Sequence, residues 1–467
     1  MGKVTGIAAI LLCATAVLFV RAKHPDAIGK WRVKLGLQTS CPDERKKVAP
    51  SKRVRHLQYE APYDFGEEFL VLDAWHATRK EFLDGHIDVW YSSDGEKELS
   101  VRKDLVRFFG YEICENVLKF GERGVERVLI SVFNKGVAGF LIAESEALSV
   151  IGVVSERLIP AKRSESSTSD ERGKTIIRSE WSGTQPKVVA TIGLTMIDGN
   201  RYAEYLNFEM SLGGTAPLES ESATVAPGEH VRYAGGDVYI EGIPMVNQGQ
   251  KGYCVPATIS RVLRYFGLDV DMHALALDME TDVGGGTLIG NGFPTLDRVV
   301  AETGLDRVDY KKTESYDDEY IGRYNQAARV VGKPELLIDD FTVEEEQDGR
   351  PVKLRHYDWL VDAMEEEVKR LSRDYDAVGY ARFRAGVTSS VLRGFPLLWS
   401  VERLFPWDRK DESPGGGHMR LIVGYNLQTD EILYSDSWGS GHELKRARFA
   451  EAWRETDFLS CLQPSER

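Results

Sequence analysis

Cys254 heads a run in which Val255, Ile259, Val262, Leu263 and Phe266 recur at helical spacing, and Gly267 supplies a natural stop. An apolar stripe on one side of a helix demands a surface to pack against. Pro256 falls in the first turn, where its missing N–H costs nothing. The pattern therefore puts a thiol at the N-terminus of an amphipathic helix, where the positive end of the helix dipole favours thiolate.

The surroundings of this helix extend the chemistry. Pro396 to Val401, Leu421 to Asn426 and Glu431 to Asp436 read as strands, the last two joined by a short polar turn that predicts antiparallel pairing. His418 opens one strand of that hairpin and Asp436 closes the other. The two can therefore lie opposite each other although they are 18 residues apart in sequence. An imidazole beside a thiol lowers its pKa and later protonates a leaving amine, while a third group holds the ring's tautomer and orientation. Gln248, six residues before Cys254, is placed to form an oxyanion hole with the Cys254 backbone N–H.

With these residues in view, the chain resembles the papain-like cysteine peptidase superfamily, whose order is Gln, Cys, His, then Asn or Asp. The Cys254-Val255-Pro256-Ala257 helix start and the arginine-containing run to Tyr265-Phe266-Gly267 resemble the bacteriocin-leader-processing (double-glycine) peptidase-like family. That family also uses Asp as the orienting residue, and Asp436-Ser437-Trp438-Gly439 echoes the papain Asn-Ser-Trp-Gly motif with Asp in place of Asn. The resemblance covers about residues 237 to 460. It implies an α+β fold, with the cysteine helix packed on an antiparallel sheet that carries His418 and Asp436. It also implies hydrolysis of peptide bonds through an acyl-thioester at Cys254, with His418 as general base and acid. The resemblance also implies that Trp438 shields the His418–Asp436 hydrogen bond from water, a plain core tryptophan being the other reading. Two departures stand out: about 90 residues separate Gly304 from Pro396, and no Gly-Lys-Ser/Thr loop of an exporter is present.

No cofactor or metal is required by this scheme. His273, His356 and His442 show no metal-ligand spacing, and Glu344-Glu345-Glu346 and Glu365-Glu366-Glu367 read as solvated faces. Gly284-Gly285-Gly286, with Gly290 and Gly292, lacks the Gly-Lys-Ser/Thr that a phosphate cradle needs and reads as a loop bordering the cleft. Trp359 to Leu371 reads as one helix with Leu360, Met364, Val368 and Leu371 on a face.

The N-terminal part carries no motif with readable chemistry. Lys3 precedes the apolar run Ile7 to Val20, which matches a secretory h-region better than a bilayer span and makes residues 1–22 a signal peptide or membrane anchor. Export to a periplasmic or extracellular space follows, with possible membrane association through that segment. Ser100 to Phe120 reads as helical, and Val128–Phe133 and Val137–Ala143 as a hairpin about Asn134-Lys135-Gly136. Ala161 to Lys174 reads as a loop. Val188–Ile197 and Arg201–Leu212 read as a hairpin about Asp198-Gly199-Asn200. These readings divide the chain into an N-terminal α+β or β-rich domain over 23–212, a linker over 213–236 and a peptidase domain over 237–467.

Composition removes other classes. A formal charge of −14 and the lack of a basic stripe exclude a nucleic-acid partner and leave a peptide or protein substrate. The five cysteines form no C-x-x-C pair, so neither a zinc ribbon nor a disulfide scaffold is evident, although one disulfide is possible. Two other functions remain open: acyl transfer to an amine, as in transglutaminase-like enzymes, and a catalytically inactive peptide-binding module. Three roles are open to the N-terminal domain: substrate recruitment, partner contact, or occlusion of the cleft as a propeptide.

Overall fold

A computed structural model describes residues 63–465, apart from 86–89, 95–97, 184, 213–226, 250, 269, 284–285, 288, 348–349, 409–416 and 440. Lys52–Arg467 form one compact unit, which mixes helix and sheet in an α+β arrangement.

The first sheet takes in β1 (Trp90–Asp94), β2 (Glu98–Val101), β3 (Glu115–Gly121), β4 (Gly124–Asn134), β5 (Lys162–Ser169), β6 (Thr175–Ser182), β7 (Lys187–Ile197) and β8 (Asn200–Ser211), in the order β1-β2-β3-β4-β8-β7-β6-β5. The β7–β8 hairpin closes at Ile197–Asn200, as expected. Asp198 and Gly199 there have φ of 50° and 77°, the left-handed pair that a two-residue hairpin turn requires. Helix α1 (Glu144–Arg157) buries Ala147, Val150, Ile151 and Val154, spaced 3, 1 and 3 residues apart along one face, in the core of this sheet.

Three expectations for this region are corrected. Ser100 to Phe120 is not helical but a series of short strands. Phe109 and Gly110 take positive φ, and their N–H groups donate to Asp64 Oδ1 and Oδ2 at 2.8 and 2.7 Å, which fixes a tight turn where a helix would have to continue. Residues 134–136 do not close a hairpin. Asn134 instead accepts from the Gly136 N–H at 2.8 Å and caps a short helix, Lys135–Ala138, while β4 pairs with β3 and β8. Much of Ala161 to Lys174 is strand β5, an edge strand with every residue exposed. It carries no apolar alternation, and only its ladder to β6 defines it.

The second sheet is built from β9 (Val231–Ala234), β10 (Asp237–Ile240), β11 (Leu305–Lys311), β12 (Leu397–Val401), β13 (His418–Asn426), β14 (Glu431–Ser435), β15 (Lys445–Arg448) and β16 (Thr456–Pro464). Its main path is β9-β10-β13-β12-β16-β11, and β14 pairs with β13 and β15. Strand β9 lies within 213–236 and pairs antiparallel with β10, so the end of the expected linker is part of this sheet.

Every residue of β12 and β13 is buried, because helices cover both faces. Helix α2 (Cys254–Tyr265) packs Val255, Ile259, Val262 and Leu263 against Met419, Leu421 and Val423. On the other side, Phe383, Val387 and Val391 of Ala377–Leu392 pack with Ile422 and Tyr425.

Helices Met272–Asp278 and Ile289–Thr303 follow α2, and the second takes in Gly290 and Gly292, which were expected in a loop. Tyr357–Ala363 and Glu366–Ser372 are two helices rather than one. Met364 and Glu365 are extended between them, and the Glu365 N–H donates to the Tyr324 hydroxyl at 2.8 Å. Leu360, Met364 and Val368 still share one buried cluster.

The expectation of export and membrane association is also corrected. The apolar run at 7–20 lies outside the described residues. Among the described residues no helix is long and apolar enough to cross a membrane, and helices of 14 to 16 residues such as Ala377–Leu392 fall short of the roughly 20 that a bilayer needs.

Candidate active site

Cys254 is the first residue of α2. No side chain caps this end, and the first helical bond runs from the Ala257 N–H to the Tyr253 carbonyl at 2.9 Å. The N–H groups of Cys254 and Val255 therefore have no carbonyl partner within the helix, and Pro256 has no N–H to satisfy. The half-buried thiol meets His418 from β13. Burial pushes the thiol pKa up, but the hydrogen bond and charge of His418, with backbone hydrogen bonds from Met419 and Val255, bring it below the usual thiol value.

His418 is buried, and its Nε2 lies 3.2 Å from Asp436 Oδ1. With Nε2 committed there, Nδ1 is left for the thiol. Burial pushes the imidazole pKa down, yet Asp436 and Cys254 together raise it above the ordinary histidine value. Each group thus displaces the other's pKa, the thiol's downward and the imidazole's upward, the directions that favour a thiolate–imidazolium pair. Trp438 stacks on the His418 ring, with centroids 4.3 Å apart and planes 11° from parallel. It covers that face from water. His442 meets the edge of Trp438 and accepts the Asp436 N–H through its carbonyl at 2.9 Å.

Asp436 is fully buried among cations that the sequence reading missed. Arg420 Nε lies 2.8 Å from Asp436 Oδ1, and Lys445 Nζ lies 2.9 Å from Oδ2. Asp408 bridges the same two cations, 2.6 Å from Arg420 Nη2 and 3.4 Å from Lys445 Nζ. Burial alone would raise the Asp436 pKa, but Arg420, then His418 and Lys445, hold it well below the usual carboxylate range. Arg420 follows His418 by two residues on one strand, so both side chains share a face and converge on one carboxylate. A charged residue inside Met419-Arg420-Leu421-Ile422-Val423 was the available signal, since a buried strand tolerates a cation only when it is paired.

Arg261, seven residues along α2 from Cys254, ties the helix to the strand end that carries Asp436. It donates to the Asp436 carbonyl at 2.8 Å, to Ser435 Oγ at 2.7 Å and to the Pro244 carbonyl at 2.9 Å. Burial lowers its pKa to about 10 in spite of Asp436 and Glu443 nearby.

Gln248 is buried in the approach to the helix. Its backbone N–H donates to the Ser437 carbonyl at 2.8 Å, and its Oε1 accepts from Ser437 Oγ at 2.7 Å. Its Nε2 donates to the Lys251 carbonyl at 3.0 Å. A carbonyl can only accept, which settles the orientation of the amide. One of the two Nε2 hydrogens is used in this way.

The structure thus brings His418 against both Cys254 and Asp436, and links Gln248 to the Ser437 that follows Asp436. Cys114, Cys254 and Cys461 are free thiols, with no disulfide among them. Among the described residues no group of three or more His, Cys, Asp or Glu is arranged to hold a metal ion.

Residues 345–461 match the model of the Peptidase_C39 like family. The chain is in this stretch similar to a papain-like, C39-like peptidase family, in agreement with the resemblance read from its motifs. The matched stretch contains His418 and Asp436, while Gln248 and Cys254 lie before it. No curated protein matches the chain.

Proposed function

We propose that this protein is a cysteine peptidase that hydrolyses peptide bonds of a peptide or protein substrate at Cys254. The observation that carries the reading is His418 held between the Cys254 thiol and the Asp436 carboxylate, with thiol and imidazole pKa displaced in opposite directions. The family match over 345–461 supports it from an independent side. Residues 237–467, with β9 added at the N-terminal side, make up the peptidase domain in this reading, and residues 23–212 the N-terminal domain.

In the first step the Cys254 thiolate attacks the scissile carbonyl carbon. A C–S bond forms, and the carbonyl π electrons move to oxygen. The developing oxyanion is held by a Gln248 Nε2–H and the Cys254 backbone N–H. The tetrahedral species collapses with cleavage of the C–N bond, and the leaving amine takes its proton from the His418 imidazolium. Water then attacks the acyl-thioester while neutral His418 removes its proton. Expulsion of the thiolate releases the acid and restores the ion pair. Asp436 keeps Nε2 of the ring engaged throughout, so Nδ1 stays directed at the sulfur.

The test is covalent labelling of the full chain with a thiol-directed peptidyl electrophile, mapped by mass spectrometry, beside Cys254→Ala. Labelling at Cys254 in the parent and none in the variant is expected. Labelling that persists in the variant at the same rate would sink the assignment.

A further inference from the structure

The loop between Gln248 and Cys254 has two sets of neighbours. Ser437, in the connection from β14 to β15, holds Gln248 directly. Gly249, Lys251 and Tyr253 of the loop meet the first sheet instead, at residues 49 to 138 positions earlier. The Lys251 ammonium, almost wholly buried, pairs with the Glu115 carboxylate at the start of β3 and lies 5.4 Å from the centre of the Tyr253 ring. Tyr253 is buried beside the Asn134 amide and the Glu204 and Glu115 carboxylates, with the His273 ring 6.0 Å away. Gly136, just past β4, is packed so closely that a Cβ there would lie 2.9 Å from both Lys251 Cβ and Tyr253 Cε1. Gly249 has φ of 67°, and a Cβ on it would run into the Glu115 carboxylate. On both sides a glycine backbone thus lies directly against side chains of the other part, Gly136 against Lys251 and Tyr253, and Gly249 against Glu115.

This matters because the Lys251 carbonyl is the acceptor for Gln248 Nε2. Whatever holds Lys251 therefore helps Ser437 set the direction of the Gln248 amide, and with it the second N–H that the peptidase reading assigns to the oxyanion. We propose that the first sheet is a positioning element of the active site: through Glu115 on Lys251 it holds the loop that aims Gln248 at the oxyanion. The inference rests on the peptidase reading above. It gives the N-terminal domain a task inside the catalytic machinery, where the sequence alone left recruitment, partner contact and occlusion equally open.

Two reactions of Cys254 separate this role from a merely structural one. Iodoacetamide alkylates the thiolate by displacement of iodide, with no oxyanion. p-Nitrophenyl acetate acetylates it through an oxyanionic intermediate, forming an S–C(O) bond as p-nitrophenolate leaves. Both rates are to be measured on the full chain and on Glu115→Gln, Lys251→Met and the double variant, with the modified residue mapped by mass spectrometry. Each single variant is expected to lose on the order of tenfold in acetylation, less than complete loss of an oxyanion donor, while alkylation changes by less than about twofold. The double variant is expected to lose no more than either single one, because both substitutions break the same link. Equal loss in both reactions, no loss in acetylation, or additive losses would each overturn the proposal. Failure of iodoacetamide to modify Cys254 in the parent chain would overturn the peptidase reading and this inference with it.

Discussion

Strands β5 and β13 are opposite extremes of one secondary structure. Every residue of Lys162–Ser169 is exposed, and every residue of His418–Asn426 is buried. The first is an edge strand of charged residues, serines and a threonine, held by its ladder to β6. The second lies between helices, and its polar side chains survive there only because each is paired: His418 with Asp436 and Cys254, Arg420 with Asp408 and Asp436. Burial is what gives the second set its chemistry. Where water is excluded, a charge on Asp436 or His418 acts on its neighbour with far less screening than the same charge would on β5.

This contrast can be broken in four places. The largest effect is expected at Cys254→Ala, which should lower peptide hydrolysis on the order of 10⁴-fold or more, read by turnover of a peptide the parent cleaves. Residual turnover near the parent level would remove the reactive half of the comparison. Next, Arg420→Met leaves Asp408 with Lys445, and Asp436 with Lys445 and His418. It should cost about 3–5 kcal/mol, the usual loss when one partner of a buried ion pair is removed, measured by urea unfolding. A loss below about 1 kcal/mol, the range of exposed pairs, would show that water reaches the cluster.

The third test is the pH profile of Cys254 alkylation. The thiol pKa is lowered from 9.0, so the acid limb of the rate should lie below that value, because thiolate survives as pH falls until the lowered pKa is passed. The imidazole pKa is raised from 6.5, so the ion pair should persist above that value and be lost as pH climbs through the raised one. His418→Ala should return the acid limb toward ordinary thiol behaviour, and an unchanged limb would contradict the contact. The smallest effect is expected on the exposed strand: Ser166→Ala should change stability by no more than about 0.5 kcal/mol, read by thermal unfolding. A larger loss would mean that β5 is covered by something in solution.

The legible parts of the molecule share a property. Helix α2, strands β12 to β14 and the β7–β8 hairpin were readable because their apolar period, turn residues and stops agree locally. Ser100 to Phe120 was misread because the turn at Phe109-Gly110 is pinned by Asp64, a residue 45 positions away for which the local pattern carries no trace. The helix at Trp359–Leu371 kept its buried face but not its continuity, since a bond to Tyr324 interrupts it. In the site, Gln248, Cys254, His418 and Asp436 could be singled out by order and motif. Arg420 left only the trace of a charge inside an apolar strand, and Lys445, Asp408 and Arg261 left none, because what marks them is the company they keep after folding.

The sequence by itself determined that a thiol begins an amphipathic helix and that a histidine opens one of two paired strands while an aspartate follows the end of the other, because periodicity and short turns are local. It did not determine how the Asp436 charge is balanced or that Glu115 holds the loop before the cysteine. Those depend on pairs 9 to 136 residues apart meeting where water is excluded, and charge compensation is required only once burial has taken water away.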